Sequence, residues 1–178
     1  MRRLSLADVC DDMISLKKQG IYEVELVKAF SEVRTNFSGW SLLALEKMFA
    51  YGDPQRIRDA GDPMPEGEKF TLYRGVAGKR PRRKVAGLSW TRSLETAFRF
   101  AGRNRHQGNP AVYKTTVAAV DVWCYISQRN EDEFVLKAKR YRRLSVQEIT
   151  KALGLNCTSE PRTEVDNCDE VLKVYPIK

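Results

Sequence analysis

The chain has 178 residues, 42% hydrophobic and 30% charged, with 11 Gly and 7 Pro; that length sets an expectation of one domain, and the balance excludes disordered, collagen-like and disulfide-scaffold classes. No run reaches the roughly 20 apolar residues that a membrane span needs, and Asp8, Asp11 and Asp12 interrupt the start before a secretion-signal core can form, so a cytoplasmic protein with no membrane partner is expected. The net charge of +8 is concentrated, since residues 71–143 hold 17 Lys/Arg against 5 Asp/Glu while both flanks are slightly acidic.

Helical spacing dominates residues 1–68. Ser5 is placed to cap a helix carrying Leu6, Val9, Met13, Ile14 and Leu16 and ending at Lys17, Lys18 and Gly20. A second run sets Val24, Leu26, Val27, Phe30 and Val33 on one face, and a third starts near Ser38, carries Trp40, Leu42, Leu43, Leu45, Met48 and Phe49, and stops at Gly52. The Asp-, Gly- and Pro-rich stretch that follows predicts a helical turn and a connector.

After Glu68 the period becomes extended. Phe70, Leu72 and Tyr73 lead into Arg74-Gly75, a basic loop from Lys79 to Lys84 follows, and Gly87 to Thr91 predicts a second strand. Ser93 can cap a helix with Leu94, Ala97, Phe98 and Ala101 on one face, ending at Gly102. Beyond a Gly, Asn and Pro loop come the extended runs AVYKTTV, VDVWCYI and EDEFVLKA, a second basic cluster from Lys137 to Arg143, and a helix with Ser145 and Glu148 as its capping box. A last extended run, EVLKVYPI, closes the chain. Helices first and strands after define the α+β class, with a helical segment over 1–68 packed on a core over 69–178, together one compact domain.

Cys10, Cys124, Cys157 and Cys168 form no Cys-x-x-Cys pair and His106 is the sole histidine, so no zinc site of ordinary spacing exists and no metal is expected. The cysteines read as buried or incidental thiols of a reducing compartment, and one histidine is a weak basis for Ser-His or Cys-His catalysis. The two basic clusters point to a polyanion, either nucleic acid, a phosphorylated cofactor or an acidic partner. The competing reading is solvated loop and strand-edge charge.

Three short patterns stand in order in the basic half: Tyr73-Arg74-Gly75, Ser89-Trp90-Thr91 and Glu131-Asp132-Glu133-Phe134. Taken alone, the EDE triplet reads as a solvated turn cluster. In this order, with a helix after the Ser-x-Thr strand, residues 70 to 140 resemble the mono-ADP-ribosyltransferases of the Arg, Ser-Thr-Ser, Glu-x-Glu group, which includes bacterial toxins and phage enzymes. The resemblance implies a split two-sheet β core that binds NAD in a central cleft. It implies that Arg74 pairs with the NAD phosphates, that Gly75 lets its backbone approach the nicotinamide carboxamide, and that Ser89 orients the catalytic glutamate while Thr91 and its strand support the nicotinamide ribose. Glu133 is then the catalytic carboxylate, and Glu131 orients or deprotonates the incoming nucleophile, as in arginine-modifying members. Trp90 departs from the family pattern; strand alternation turns it away from Ser89 and Thr91, toward packing.

The expected function is therefore transfer of ADP-ribose from NAD to a macromolecular acceptor, either protein, with arginine one candidate side chain, or RNA or DNA, with release of nicotinamide. The alternative from another class is a non-catalytic basic nucleic-acid-binding protein. A third keeps the fold and binds NAD or a protein without turnover. Arg99, Arg103 and Arg105 are secondary candidates for pyrophosphate, and Phe98, Phe100 and Tyr113 for stacking, each against a plainer reading as solvated charge or core.

Overall fold

The computed structural model describes residues 3–33, 40–78, 87–103, 105–127 and 132–154. Among these, helices come first: α1 (Leu6–Asp11), α2 (Met13–Lys18), α3 (Tyr22–Ser31), α4 (Leu42–Tyr51) and α5 (Pro54–Asp59). Strands β1 (Lys69–Ala77) and β2 (Ser89–Thr91), helix α6 (Leu94–Arg103), strands β3 (Pro110–Ala118), β4 (Cys124–Ile126), β5 (Glu133–Val135) and β6 (Arg142–Arg143), and helix α7 (Val146–Ala152) follow. The architecture is mixed α+β. The run EVLKVYPI, the basic cluster Lys79 to Lys84, Glu131, Cys157 and Cys168 lie outside the described residues.

Local chemistry sets the boundaries. Ser5 and Asp8 form a reciprocal capping box at α1, but the single helix expected up to Gly20 is two, because Asp12 leaves helical geometry at φ −101°, ψ 12°. Adjacent Asp11 and Asp12 are poor helix-interior residues, since their short carboxylates compete for backbone groups. The third helix starts later than expected, at Leu42, where Ser41 accepts the Ala44 N–H at 3.0 Å. Asp53 caps α5 and Pro54 opens it, a position where the missing N–H costs nothing. Strand β6 escaped sequence reading because two arginines in a charge cluster offer no alternation to recognise.

All strand neighbours are antiparallel, in the order β4-β5-β2-β1-β3-β6. The β1–β3 ladder runs unbroken from Lys69↔Ala118 to Ala77↔Pro110, whereas β1 and β2 meet only at Tyr73↔Thr91. Tyr73↔Thr91 thus joins two three-stranded halves of one sheet, β4-β5-β2 and β1-β3-β6. Phe70, Leu72, Val76, Ala111 and Tyr113 of one half share a buried cluster with Trp90, Tyr125, Phe134 and Leu136 of the other, and the Phe70 and Phe134 rings lie 5.0 Å apart. Burying each such side chain stabilises the fold by about 1.5–3 kcal/mol.

Helices pack against both halves of the sheet. Ala97, Phe98 and Ala101 of α6 and Ile149 of α7 pack with Val112 on β3. On the other half, Leu26, Phe30 and Phe49 from the N-terminal helices pack with Leu88, Cys124, Ile126 and Val135. Helix α6 can lie this close to β1 because position 75 is glycine; a Cβ there would sit 1.8 Å from the Ala97 carbonyl oxygen.

Glu23 ties the N-terminal helices together. Its carboxylate, 1% exposed, accepts the Lys17 ammonium and the Asp53 N–H and lies 3.6 Å from Arg56 Nε. Burial pushes the Glu23 carboxyl up, but the Asp53 N–H and Lys17 outweigh it and hold it down at about 2. A carboxyl depressed on folding contributes stability that is complete above its unfolded value of 4.5 and is lost as pH falls toward 2. Glu23→Gln is expected to cost about 3 kcal/mol at neutral pH, the low end for breaking a buried pair because both cations reach water. The difference from wild type, read by urea unfolding, should shrink steadily between pH 5 and pH 3. Parallel pH profiles for the two proteins would remove Glu23 as the acid-sensitive group.

Candidate functional site

Register brings three of the sequence-predicted residues, Ser89, Thr91 and Glu133, to one face of the sheet. Thr91 on β2 lies opposite Glu133 on β5, Ser89 opposite Val135, and Glu133 also faces Ile126 on β4. Directly opposed residues share a face of the sheet, and so do residues two apart on one strand. Ser89, Thr91 and Glu133 therefore gather on one face, beside the junction of the two halves, with Ser89 and Glu133 half-buried and Thr91 buried. The Thr91 hydroxyl accepts the Ser93 N–H at 3.1 Å, and Ser93 Oγ accepts the Thr96 N–H at 3.0 Å. Thr91 thus fixes the turn from β2 into α6.

Arg74 approaches from the other side. Alternation along β1 sets it in line with Leu72 and Val76, on the face that carries their buried cluster. Where β1 and β2 diverge past Tyr73↔Thr91, Arg74 Nη1 donates to the Ser89 carbonyl and holds the strand in place. A Cβ at Gly87 would lie 2.1 Å from Arg74 Nη2, so glycine is what lets the chain pass over the guanidinium. Arg74 Nε is buried with no hydrogen-bond partner among the described residues. Burial pushes the guanidinium down to about 10, and the Glu133 carboxylate pulls it back up. It stays charged at neutral pH, an electrostatic link between β1 and β5.

The remaining candidates separate clearly. Gly75 uses its missing Cβ for the approach of α6. Trp90 is 1% exposed in the cluster that the halves share, and its Nε1 donates to the Gly87 carbonyl at 3.0 Å. Phe98 and Tyr113 are core residues, Arg103 lies over the Phe100 ring at 5.2 Å, and Arg99 donates to Thr96 Oγ1 at 3.2 Å. His106 is exposed. In the cluster Lys137 to Arg143, Lys137 pairs with Glu46 at 2.6 Å, Lys139 with Asp121 at 4.0 Å, and Arg142 with Glu148 at 2.7 Å. Three cations of the cluster thus pair with carboxylates of the protein itself. Cys124, on the same face as Glu133, is a buried thiol pushed up to about 12 by burial and by the Glu133 and Asp62 carboxylates, so it remains protonated and unreactive.

Three residues near Glu133 went unnoticed in the sequence. Asp132 has a positive φ of 45° and accepts the Tyr125 hydroxyl at 2.5 Å; Arg92 lies 3.6 Å from its carboxylate. Asp132 was read as one charge of the EDE cluster, and no local spacing couples it to Arg92. The alternation in VDVWCYI could have signalled Tyr125 as a strand residue with its polar tip at the sheet edge.

Among the described residues no helix is long and apolar enough to cross a membrane, and no group of three or more His, Cys, Asp or Glu side chains is arranged to hold a metal ion. Comparison with protein-family models, with curated proteins and with solved structures found no match to this chain.

Proposed function

We propose that this chain is an NAD-dependent mono-ADP-ribosyltransferase of the Arg, Ser-x-Thr, Glu-x-Glu type, the two halves of its sheet serving as the split two-sheet core. The observation that carries the reading is the convergence of Arg74, Ser89 and Glu133, distant in sequence, at the single-pair junction between the two halves of the sheet. The donor set suits a dinucleotide: a fixed cation with an unsatisfied buried N–H for phosphate, and a hydroxyl and a carboxylate on one face for a ribose.

Bound NAD would supply the ADP-ribosyl group, with nicotinamide as the leaving group. Glu133 accepts a ribose hydroxyl and stabilises positive charge that develops beside it as nicotinamide departs, an effect of about 2.7–4 kcal/mol for one well-placed group in a partly dry site. Ser89 orients Glu133, and Arg74 fixes the Ser89 strand while presenting positive charge toward phosphate. The role assigned to Gly75 is that of a main-chain contact for the nicotinamide carboxamide. Glu131, two residues before Glu133, is assigned to the acceptor, which it orients or deprotonates. The acceptor is a protein side chain, with arginine the first candidate, or a nucleic acid, and the setting is cytosolic.

Incubation of a cell extract with NAD labelled in its adenine moiety, followed by separation of protein from nucleic acid, tests the reading and identifies the acceptor class. Label in one macromolecular fraction, dependent on the added protein, is the expected result. Salt-sensitive binding of nucleic acid with no label transferred and no NAD consumed would favour the non-catalytic binding protein instead.

A further inference from the structure

We infer that Asp132 is a positioning residue for Glu133, acting through a clamp formed with Tyr125 and Arg92. The inference rests on the proposed role of Glu133. Glu133 is the first residue of β5, so the ladders with β2 and β4 hold the chain from Glu133 onward but not the residue before it. The residue just before it supplies the other anchor. The Asp132 carboxylate lies beside Tyr125, whose strand partner in the ladder is Phe134. There it accepts the Tyr125 hydroxyl at 2.5 Å, and Arg92, which also lies over the Phe134 ring at 5.8 Å, stands 3.6 Å away.

Two features mark this as a device to hold the chain and not as incidental surface charge. The first is conformational: among the described residues Asp132 is the only non-glycine with positive φ, a left-handed geometry that Asp and Asn tolerate and most side chains resist. The second is that the neighbouring strand end is also tied by a carboxylate. Asp62 accepts the Ser127 N–H at 2.6 Å and the Ser127 hydroxyl at 2.8 Å, while its own N–H donates to the Tyr125 carbonyl at 2.8 Å. Tyr125 is thus held at its main chain by Asp62, and its phenol in turn holds Asp132. Burial and the Asp132 hydrogen bond keep that phenol protonated, pushed up to about 12, so it remains a donor across the working pH range. Displacing a catalytic carboxylate by about 1 Å is enough to cost on the order of 100-fold in rate, which gives such a clamp catalytic weight without contact with substrate.

Steady-state nicotinamide release from NAD by the full chain tests the inference through a split between kcat and KM. Asp132→Gly, which relaxes the backbone but removes the acceptor, is expected to lower kcat by about 10- to 100-fold with KM changed less than about twofold. Asp132→Asn keeps both the left-handed geometry and the acceptor and should stay within about threefold of wild type. Tyr125→Phe should match Asp132→Gly, and combining the two should add little further loss, because both break one contact. Loss in Asp132→Asn equal to that in Asp132→Gly, a change confined to KM, or full additivity would overturn the clamp. If wild type releases no nicotinamide, the transferase reading fails, and the clamp is judged by amide hydrogen exchange over residues 133–135. Exchange about tenfold faster in Asp132→Gly and Tyr125→Phe but not in Asp132→Asn supports it, and equal exchange in all four proteins overturns it.

Discussion

Replacing Glu133 with glutamine is expected to lower nicotinamide release from NAD by about 100-fold or more while the protein stays folded. Glutamine keeps the shape and reach of the side chain but removes its charge and turns one acceptor oxygen into an NH2 donor. The neighbours that set its position, Thr91 and Ile126 across the ladder, are untouched. The loss that bears on chemistry is the charge available to a developing cation, so the deficit should fall on kcat with little change in KM. Arg74 also loses the carboxylate that counters its burial, but a guanidinium already at about 10 remains charged at neutral pH. A Glu133→Gln protein with wild-type turnover would exclude this carboxylate from the chemistry.

Arg74→Lys is the second large effect, because lysine matches the charge of arginine and not its shape. The planar fork reaches the Ser89 carbonyl with one arm while Gly87 passes over the other. An ammonium offers no such pair, and burial that pulls a guanidinium from 12.5 to about 10 would carry a lysine from its lower starting value toward neutrality. The expected cost is about 2 kcal/mol of stability from the lost charge-assisted bond and about 100-fold in turnover from the loosened Ser89 strand. Gly87→Ala supplies a companion test. Its Cβ would stand 2.1 Å from Nη2 and push the guanidinium off Ser89 without changing any charge, so it should lose turnover too. Wild-type turnover in Gly87→Ala would separate the placement of Arg74 from function.

Much of this arrangement was legible in the sequence where one local pattern carries it. The Ser5 cap, the capping box at Ser145 and the alternation that buries Trp90 each depend on a few adjacent residues, and each stands in the structure as read. The meeting of Arg74, Ser89 and Glu133 was visible only through the order of three motifs, since register between β1, β2 and β5 is set by packing between distant strands. Other features left no local trace. The break at Asp12 reflects a choice between two weak helix formers, and β6 is too short for a period. Gly87 looked like a strand start, yet its role depends on Arg74 lying beneath it. The ion pairs of Lys137, Lys139 and Arg142 left no local trace either, because their partners Glu46, Asp121 and Glu148 come from three other parts of the chain.

The most direct measurement is a time course of free nicotinamide when the purified protein is incubated with NAD alone, with the fold confirmed on the same sample by near-UV circular dichroism. A transferase built on Arg74, Ser89 and Glu133 releases nicotinamide slowly even without an acceptor, because water can take its place, and the rate should rise linearly with protein concentration and saturate with NAD. Folded protein that leaves NAD intact at every concentration, with or without a cell extract to supply acceptors, would contradict the assignment of these residues to NAD chemistry.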